Sequence, residues 1–215
     1  ATRWGLVIEA VDASNADAVR AAVKPGRTKL VWLETPANPL WTISDIAAAA
    51  DAAHAAGARL AVDSTVATPV LTRPLALGAD LVMHSATKYL NCHSDAVIGA
   101  VTTARIDEFW ARIKTAQVQN GAVPGTLEAW LLQRGMRTLF PRVRWQSASA
   151  LVLAERLSEH PAVVEVLYPG LPGFAGHDLA RRDVHHVRDG ARAGAAAALD
   201  AVADLEAVRE GRHLV

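Results

Sequence analysis

The sequence contains a single cysteine, Cys92, so no disulfide can form within the chain. That scarcity fits a reducing compartment. There is no run of about eighteen apolar residues, so no membrane-crossing helix is expected. The opening residues, Ala1 to Ala10, lack the basic, apolar and cleavage regions of a signal peptide, and a cytoplasmic location is the expectation. Neither sign of charge is in excess: 22 Lys and Arg face 22 Asp and Glu. Such a balance gives no reason to expect nucleic acid or an anionic membrane as a partner. What the chain does have is apolar residues, 51% of 215, enough for one domain or one and part of a second.

Short apolar runs alternate with helical patterns. Gly5 to Glu9 reads as a strand, and Ser14 as the cap of a helix reaching about Val23. Lys29 to Leu33 is the next strand, ending in a loop that two prolines, Pro36 and Pro39, force to be extended. Ser44 caps a helix to about Ala56, stopped by Gly57. Strands at Arg59–Val62, Leu81–His84 and Val97–Thr102 follow. Helices are expected from Arg105 to Val118, from Thr126 to Arg134 and from Leu139 to Glu159, with a further strand at Val163–Leu167. Trp32, Trp110, Trp130 and Trp145 are assigned to core packing. The alternation implies an α/β fold with a mostly parallel sheet, in which ligands bind beyond the carboxyl ends of strands.

Asn38, Asp63 and Ser85 each fall just past such a strand end. The polar loop from Ser85 to Asp95 also carries Lys88, between two apolar runs. A lysine on a loop held by rigid strands can be desolvated, which makes its amine a nucleophile. Pyridoxal phosphate needs a lysine for its aldehyde, a carboxylate for its ring nitrogen, and hydroxyls and backbone donors for its phosphate. Lys88 meets the first need, Asp63 the second, and Ser85 with Thr87 part of the third. Asn38 can bond either the ring hydroxyl or a substrate carboxylate. His185 and His186 lack further ligands at a useful spacing, so no metal site is expected and a solvated loop is the better reading.

Several stretches closely resemble the Cys/Met-metabolism, or transsulfuration, family of PLP-dependent enzymes. They are Val31-Trp32-Leu33-Glu34-Thr35-Pro36-Ala37-Asn38-Pro39, Val62-Asp63-Ser64-Thr65, Ser85-Ala86-Thr87-Lys88-Tyr89-Leu90-Asn91 and Arg134-Gly135-Met136-Arg137-Thr138-Leu139. The resemblance implies the fold type I (aspartate-aminotransferase-like) large domain, and a homotetramer built as a dimer of dimers. It implies Lys88 as Schiff-base lysine and proton shuttle, Asp63 as pyridinium partner, Ser85 and Thr87 as phosphate ligands, and Asn38 as a cofactor or substrate contact. The implied activity is elimination or replacement at the β or γ carbon of sulfur amino acids or activated homoserine. The same resemblance makes residues 1–145 the central part of the cofactor-binding large domain, and residues 146–215 an incomplete α/β C-terminal domain.

Three departures accompany it. Family members are nearly twice as long, and their N-terminal portion supplies a phosphate loop and a stacking tyrosine; Tyr89 and Tyr168 stand in neither place. Cys92 replaces a glycine, which points to either positive φ or close packing there. From Asp183 the family wording gives way to an atypical tail, 183–215, consistent with a shifted reading frame or damaged gene end. The alternative to an active enzyme is therefore a catalytically impaired remnant that keeps the fold core and an association surface. An aminotransferase of the same fold is a third reading that the lysine segment disfavours.

Overall fold

A computed structural model of the chain describes residues 5–185. His186 and the rest of the atypical tail lie outside the described residues. Two compact units interleave along the chain. Residues 5–64, 74–84 and 100–123 form the first, and residues 65–73, 85–99 and 124–185 the second.

The first unit is built on a sheet of β1 (Leu30–Glu34), β2 (Arg59–Asp63), β3 (Leu81–Ser85) and β4 (Gly99–Thr103), in that spatial order. β1 pairs parallel to β2 from Leu30–Arg59 to Glu34–Asp63, and β2 parallel to β3 from Ala61–Leu81 to Asp63–Met83. Glu34, Asp63 and Met83 are thus level, so the connections that follow leave from one edge of the sheet. The expected α/β architecture with parallel strands is what forms.

Helix α2 (Ile46–Ala55) packs on β1 and β2, and α1 (Ala16–Ala22) packs on α2. Ala49, Ala50 and Ala53 are buried on α2, and their small side chains allow the helix to lie close to Leu33, Leu60 and Val62. Leu60 and Val62 are fully buried, each contributing about 1.5–3 kcal/mol. Gly78 sits opposite at φ 99°, where a Cβ would come 2.9 Å from that of Ala50. Asp80, just before β3, accepts from the Leu60 amide (2.9 Å), His54 (2.9 Å) and Arg59 (3.1 Å). Arg59 also reaches Asp107 at 2.7 Å, the residue that caps α4 (Glu108–Gln119).

The second unit holds α3 (Thr68–Leu71), α5 (Thr126–Met136), α6 (Leu139–Ser158) and α7 (His177–His185). Val70, Leu139 and Val143 form its small core, with Leu71 and Tyr89 packed against it. The expected C-terminal boundary near residue 145 falls within α6, one continuous helix.

Several expectations are corrected. Gly5–Glu9 and Val163–Leu167 are not strands; Val7 is 92% exposed and Val164 fully exposed, and among the described residues no neighbouring strand completes their backbone hydrogen bonds. Asn15, not Ser14, caps α1, accepting from the amides of Asp17 and Ala18, because the Ser14 hydroxyl turns back to Asp12. Asp45 caps α2, while Ser44 is buried and donates its amide to Thr35 Oγ1. Trp32, Trp130 and Trp145 are exposed rather than core residues, and Trp110 is only half-buried.

Candidate functional site

In the first unit the loop after β1 is pinned at its base. Thr35 donates its amide to the Asp63 carbonyl (3.3 Å) and accepts from the Ser44 amide (3.0 Å). The peptide bonds before Pro36 and Pro39 are both cis. Asn38, exposed at the tip, donates its amide to Glu34 Oε1 at 3.2 Å. Asp63 ends β2 and is half-buried. Its charge acts on His84, the buried penultimate residue of β3. Burial pushes the His84 imidazole below its ordinary 6.5, against the opposing pull of Asp63 and of the Ser64 backbone. Among the described residues, His84 Nδ1 and Ser64 Oγ are buried without a hydrogen-bond partner.

In the second unit the chain from Ser85 to Cys92 is a tight turn. Ser85 receives support from Thr65, whose Oγ1 accepts its amide at 2.7 Å. The Lys88 amide donates to Ser85 O (2.9 Å), that of Asn91 to Ala86 O (2.9 Å) and that of Cys92 to Lys88 O (2.6 Å). Ala86, Leu90 and Asn91 are buried beneath the turn. The Asn91 side chain donates to Asp95 at 2.6 Å. Lys88 itself is exposed rather than buried in its loop. What the turn does supply is a rigid base for a long, flexible amine.

Thr87 is more committed than the sequence suggested. Its amide donates to Ile98 O (3.0 Å), and its hydroxyl accepts the Ile98 amide (2.9 Å) and donates to Ile98 O (3.3 Å). A hydroxyl has one proton to give. Donation to a phosphate would require Thr87 to release the Ile98 carbonyl. Ser85 is half-buried, and among the described residues its hydroxyl makes no such side-chain bond. Cys92 adopts φ 75°, the positive-φ backbone that favours a glycine, and a cysteine there costs about 1 kcal/mol or more.

Sequence reasoning did not single out Thr65, Gly135 or Arg142. A Cβ on Gly135 would lie 2.4 Å from the Asn91 carbonyl oxygen, so α5 meets the lysine turn backbone to backbone. From α6, Arg142 donates to the carbonyls of Tyr89 (2.9 Å) and Gly135 (2.8 Å). The quoted run from Arg134 to Leu139 was the available signal for Gly135; nothing local marked Arg142.

A parallel α/β sheet with chemistry-bearing residues at its strand ends defines the class: an α/β protein of the ligand-binding kind. The chain belongs to the Cys/Met metabolism PLP-dependent enzymes, whose family model matches residues 1–189. A probable cystathionine gamma-synthase of Herpetosiphon aurantiacus is 46% identical over 183 residues, covering 85% of this chain and 57% of the relative. A cystathionine beta-lyase of Lactococcus lactis subsp. cremoris is also 46% identical over 183 residues, covering 85% of this chain and 48% of the relative. The crystal structure of a cystathionine gamma-lyase from Micromonospora echinospora superposes with a TM-score of 0.80 at 41% identity, covering 85% of this chain and 48% of that one. The chain spans about half the length of the curated relatives it matches. Among the described residues no helix is long and apolar enough to cross a membrane, and no cluster of His, Cys, Asp or Glu could hold a metal ion.

The residues fit pyridoxal phosphate by the chemistry of their donors. One unit offers an exposed primary amine on a fixed turn that begins at Ser85. The other offers the Asp63 carboxylate at a strand end whose neighbours include buried, unpartnered polar atoms.

Proposed function

We propose that this chain is the cofactor-binding part of a transsulfuration-type enzyme that performs elimination or replacement at the β or γ carbon of sulfur amino acids or activated homoserine. The observation that carries the proposal is the turn from Ser85 to Cys92, which holds Lys88 exposed on a hydrogen-bonded base. Lys88 Nζ would hold the cofactor through its aldehyde, and once freed by the substrate amine the lysine amine would take the proton from the substrate α-carbon. Asp63 would keep a proton on the ring nitrogen, Ser85 would serve the phosphate together with Thr87 once that hydroxyl releases the Ile98 carbonyl, and Asn38 would contact the ring hydroxyl or the substrate carboxylate. Bound pyridoxal phosphate supplies the electron sink for charge at the α-carbon. We place the enzyme in the cytoplasm as a homo-oligomer, a dimer of dimers.

Relatives named as a synthase and as a β-lyase are equally similar at 46%, so identity does not choose between replacement and elimination. The deciding experiment supplies pyridoxal phosphate to the purified chain and reads the visible absorbance of a lysine-bound cofactor. Cystathionine, methionine, and an acylated homoserine with cysteine are then offered in turn, with thiol, keto acid and ammonia followed. A visible band with turnover of one of them supports the proposal. A band without turnover leaves a cofactor-binding remnant, and no band contradicts the reading.

A further inference from the structure

We propose that Arg142 is the positioning residue of the lysine turn, acting as a guanidinium cap on backbone carbonyls that the turn cannot satisfy itself. This rests on the reading of Lys88 as the cofactor's amine. The turn's own amides serve Ser85 O, Ala86 O and Lys88 O. The carbonyls of Tyr89 and Leu90 come next, where a continuing helix would bring up amides three and four residues on. Here the backbone swings to φ 75° at Cys92 and 57° at Ser94, and the ladder stops. Both carbonyls then face the first turn of α6, whose Arg142 fills the gap.

The guanidinium is used from several sides at once. Nη1 donates to Tyr89 O at 2.9 Å; Nη2 donates to Gly135 O at 2.8 Å and lies 3.5 Å from Leu90 O; Nε donates to Thr138 Oγ1 at 3.0 Å. One planar group therefore ties the lysine turn to the end of α5 and the start of α6. A lysine cannot do this, since its three donors radiate from one atom and do not form a fork. The neighbouring contact explains why the cap must be a long side chain. Gly135 already lets the end of α5 touch Asn91, with a built Cβ only 2.4 Å from its carbonyl oxygen, so no side chain at that position can reach the turn. Val143, one residue on, is buried in the core against which Tyr89 packs, which anchors Arg142 at its root.

Reactive groups lose rate steeply when misplaced by about 1 Å. An uncapped turn leaves two carbonyls without donors and frees the backbone that carries Lys88. The chain supplies its own controls, because Lys24, Lys29 and Lys114 are also exposed. The test uses the wild-type chain, Arg142→Met, Arg142→Lys and, as an unrelated destabilised variant, Leu60→Ala. Amide hydrogen exchange is read first, without cofactor. In Arg142→Met, the amides of Asn91 and Cys92 should exchange about tenfold faster than in wild type, while those of Leu33 and Val62 stay unchanged. The second readout is pyridoxal phosphate labelling trapped by borohydride, expressed as Lys88 label relative to the other three lysines. That ratio should fall about tenfold in Arg142→Met, only partly recover in Arg142→Lys, and hold in Leu60→Ala. Unchanged turn exchange in Arg142→Met overturns the proposal, as does an unchanged labelling ratio. Acceleration spread equally over β1 and β2 also overturns it, because Arg142 is then a general stability residue. If wild type takes no label on Lys88, the cofactor reading fails, while the exchange contrast still decides whether Arg142 holds the turn.

Discussion

The connections after β1 and after β3 both carry residues assigned to the cofactor, yet they are built in opposite ways. After β1, the base of the loop is locked by Thr35, but Asn38 is exposed and held through its own amide alone. After β3, Ala86, Leu90 and Asn91 are buried, Thr87 clamps Ile98 from both sides, and Arg142 and Gly135 press on the turn from outside. The difference matches the chemistry proposed for each. A side chain that forms a bond and then moves a proton must start from a fixed point, whereas one that only adds a hydrogen bond can adjust.

The comparison can be broken most sharply at the lysine itself. Lys88→Ala should remove all visible cofactor absorbance, while thermal unfolding shifts by no more than about 0.5 kcal/mol because Lys88 is exposed. A large loss of stability would mean that Lys88 is structural. Next comes Gly135→Ala, which forces a methyl against the Asn91 carbonyl; denaturant unfolding should show a loss of about 1–3 kcal/mol. An unchanged midpoint would show that α5 does not bear on the turn.

Acidity should separate the sheet from its loops. Burial lowers the folded His84 pKa below 6.5, so the neutral ring is the form the fold prefers. Its contribution is full above pH 6.5 and is lost as pH falls from there through the folded value. His84→Gln should therefore flatten the stability profile below pH 6.5 relative to wild type; parallel profiles would contradict this. Asp80 acts at lower pH. Burial raises its pKa, but the Leu60 amide, His54 and Arg59 outweigh that, and its pKa lies below 3.8. Stability held by Asp80 is present above pH 3.8 and fades as pH drops through the folded value. The smallest effect is expected at the β1 loop: Asn38→Ala should change stability by less than about 0.5 kcal/mol and weaken, without abolishing, cofactor binding. Complete loss of binding would make the two loops equals.

Much of this was legible in the sequence. Strands β1 to β3 were found within a residue or two because their apolar runs are bounded by Asp, Pro and Gly. Lys88 and Asp63 stood out because their residue types match distinct chemical needs. Two other features were not legible. Gly5–Glu9 and Val163–Leu167 have strand composition, but a strand forms only where a partner edge exists, and composition does not report partners. Trp32 and Trp130 look like core residues, yet 54% and 56% of their surfaces are exposed, since apolarity states a preference and not a neighbour. Arg142 was invisible for a related reason: it serves backbone carbonyls more than fifty residues away, which no local pattern encodes.

The central claim is that the turn after β3 presents one lysine, among four, to an aldehyde. Incubating the chain with substoichiometric pyridoxal phosphate, reducing with borohydride and mapping the modified peptide by mass spectrometry tests it directly. Label should concentrate on Lys88, with little on Lys24, Lys29 or Lys114 despite their exposure. Label spread evenly over the four lysines, or missing from Lys88, would contradict it.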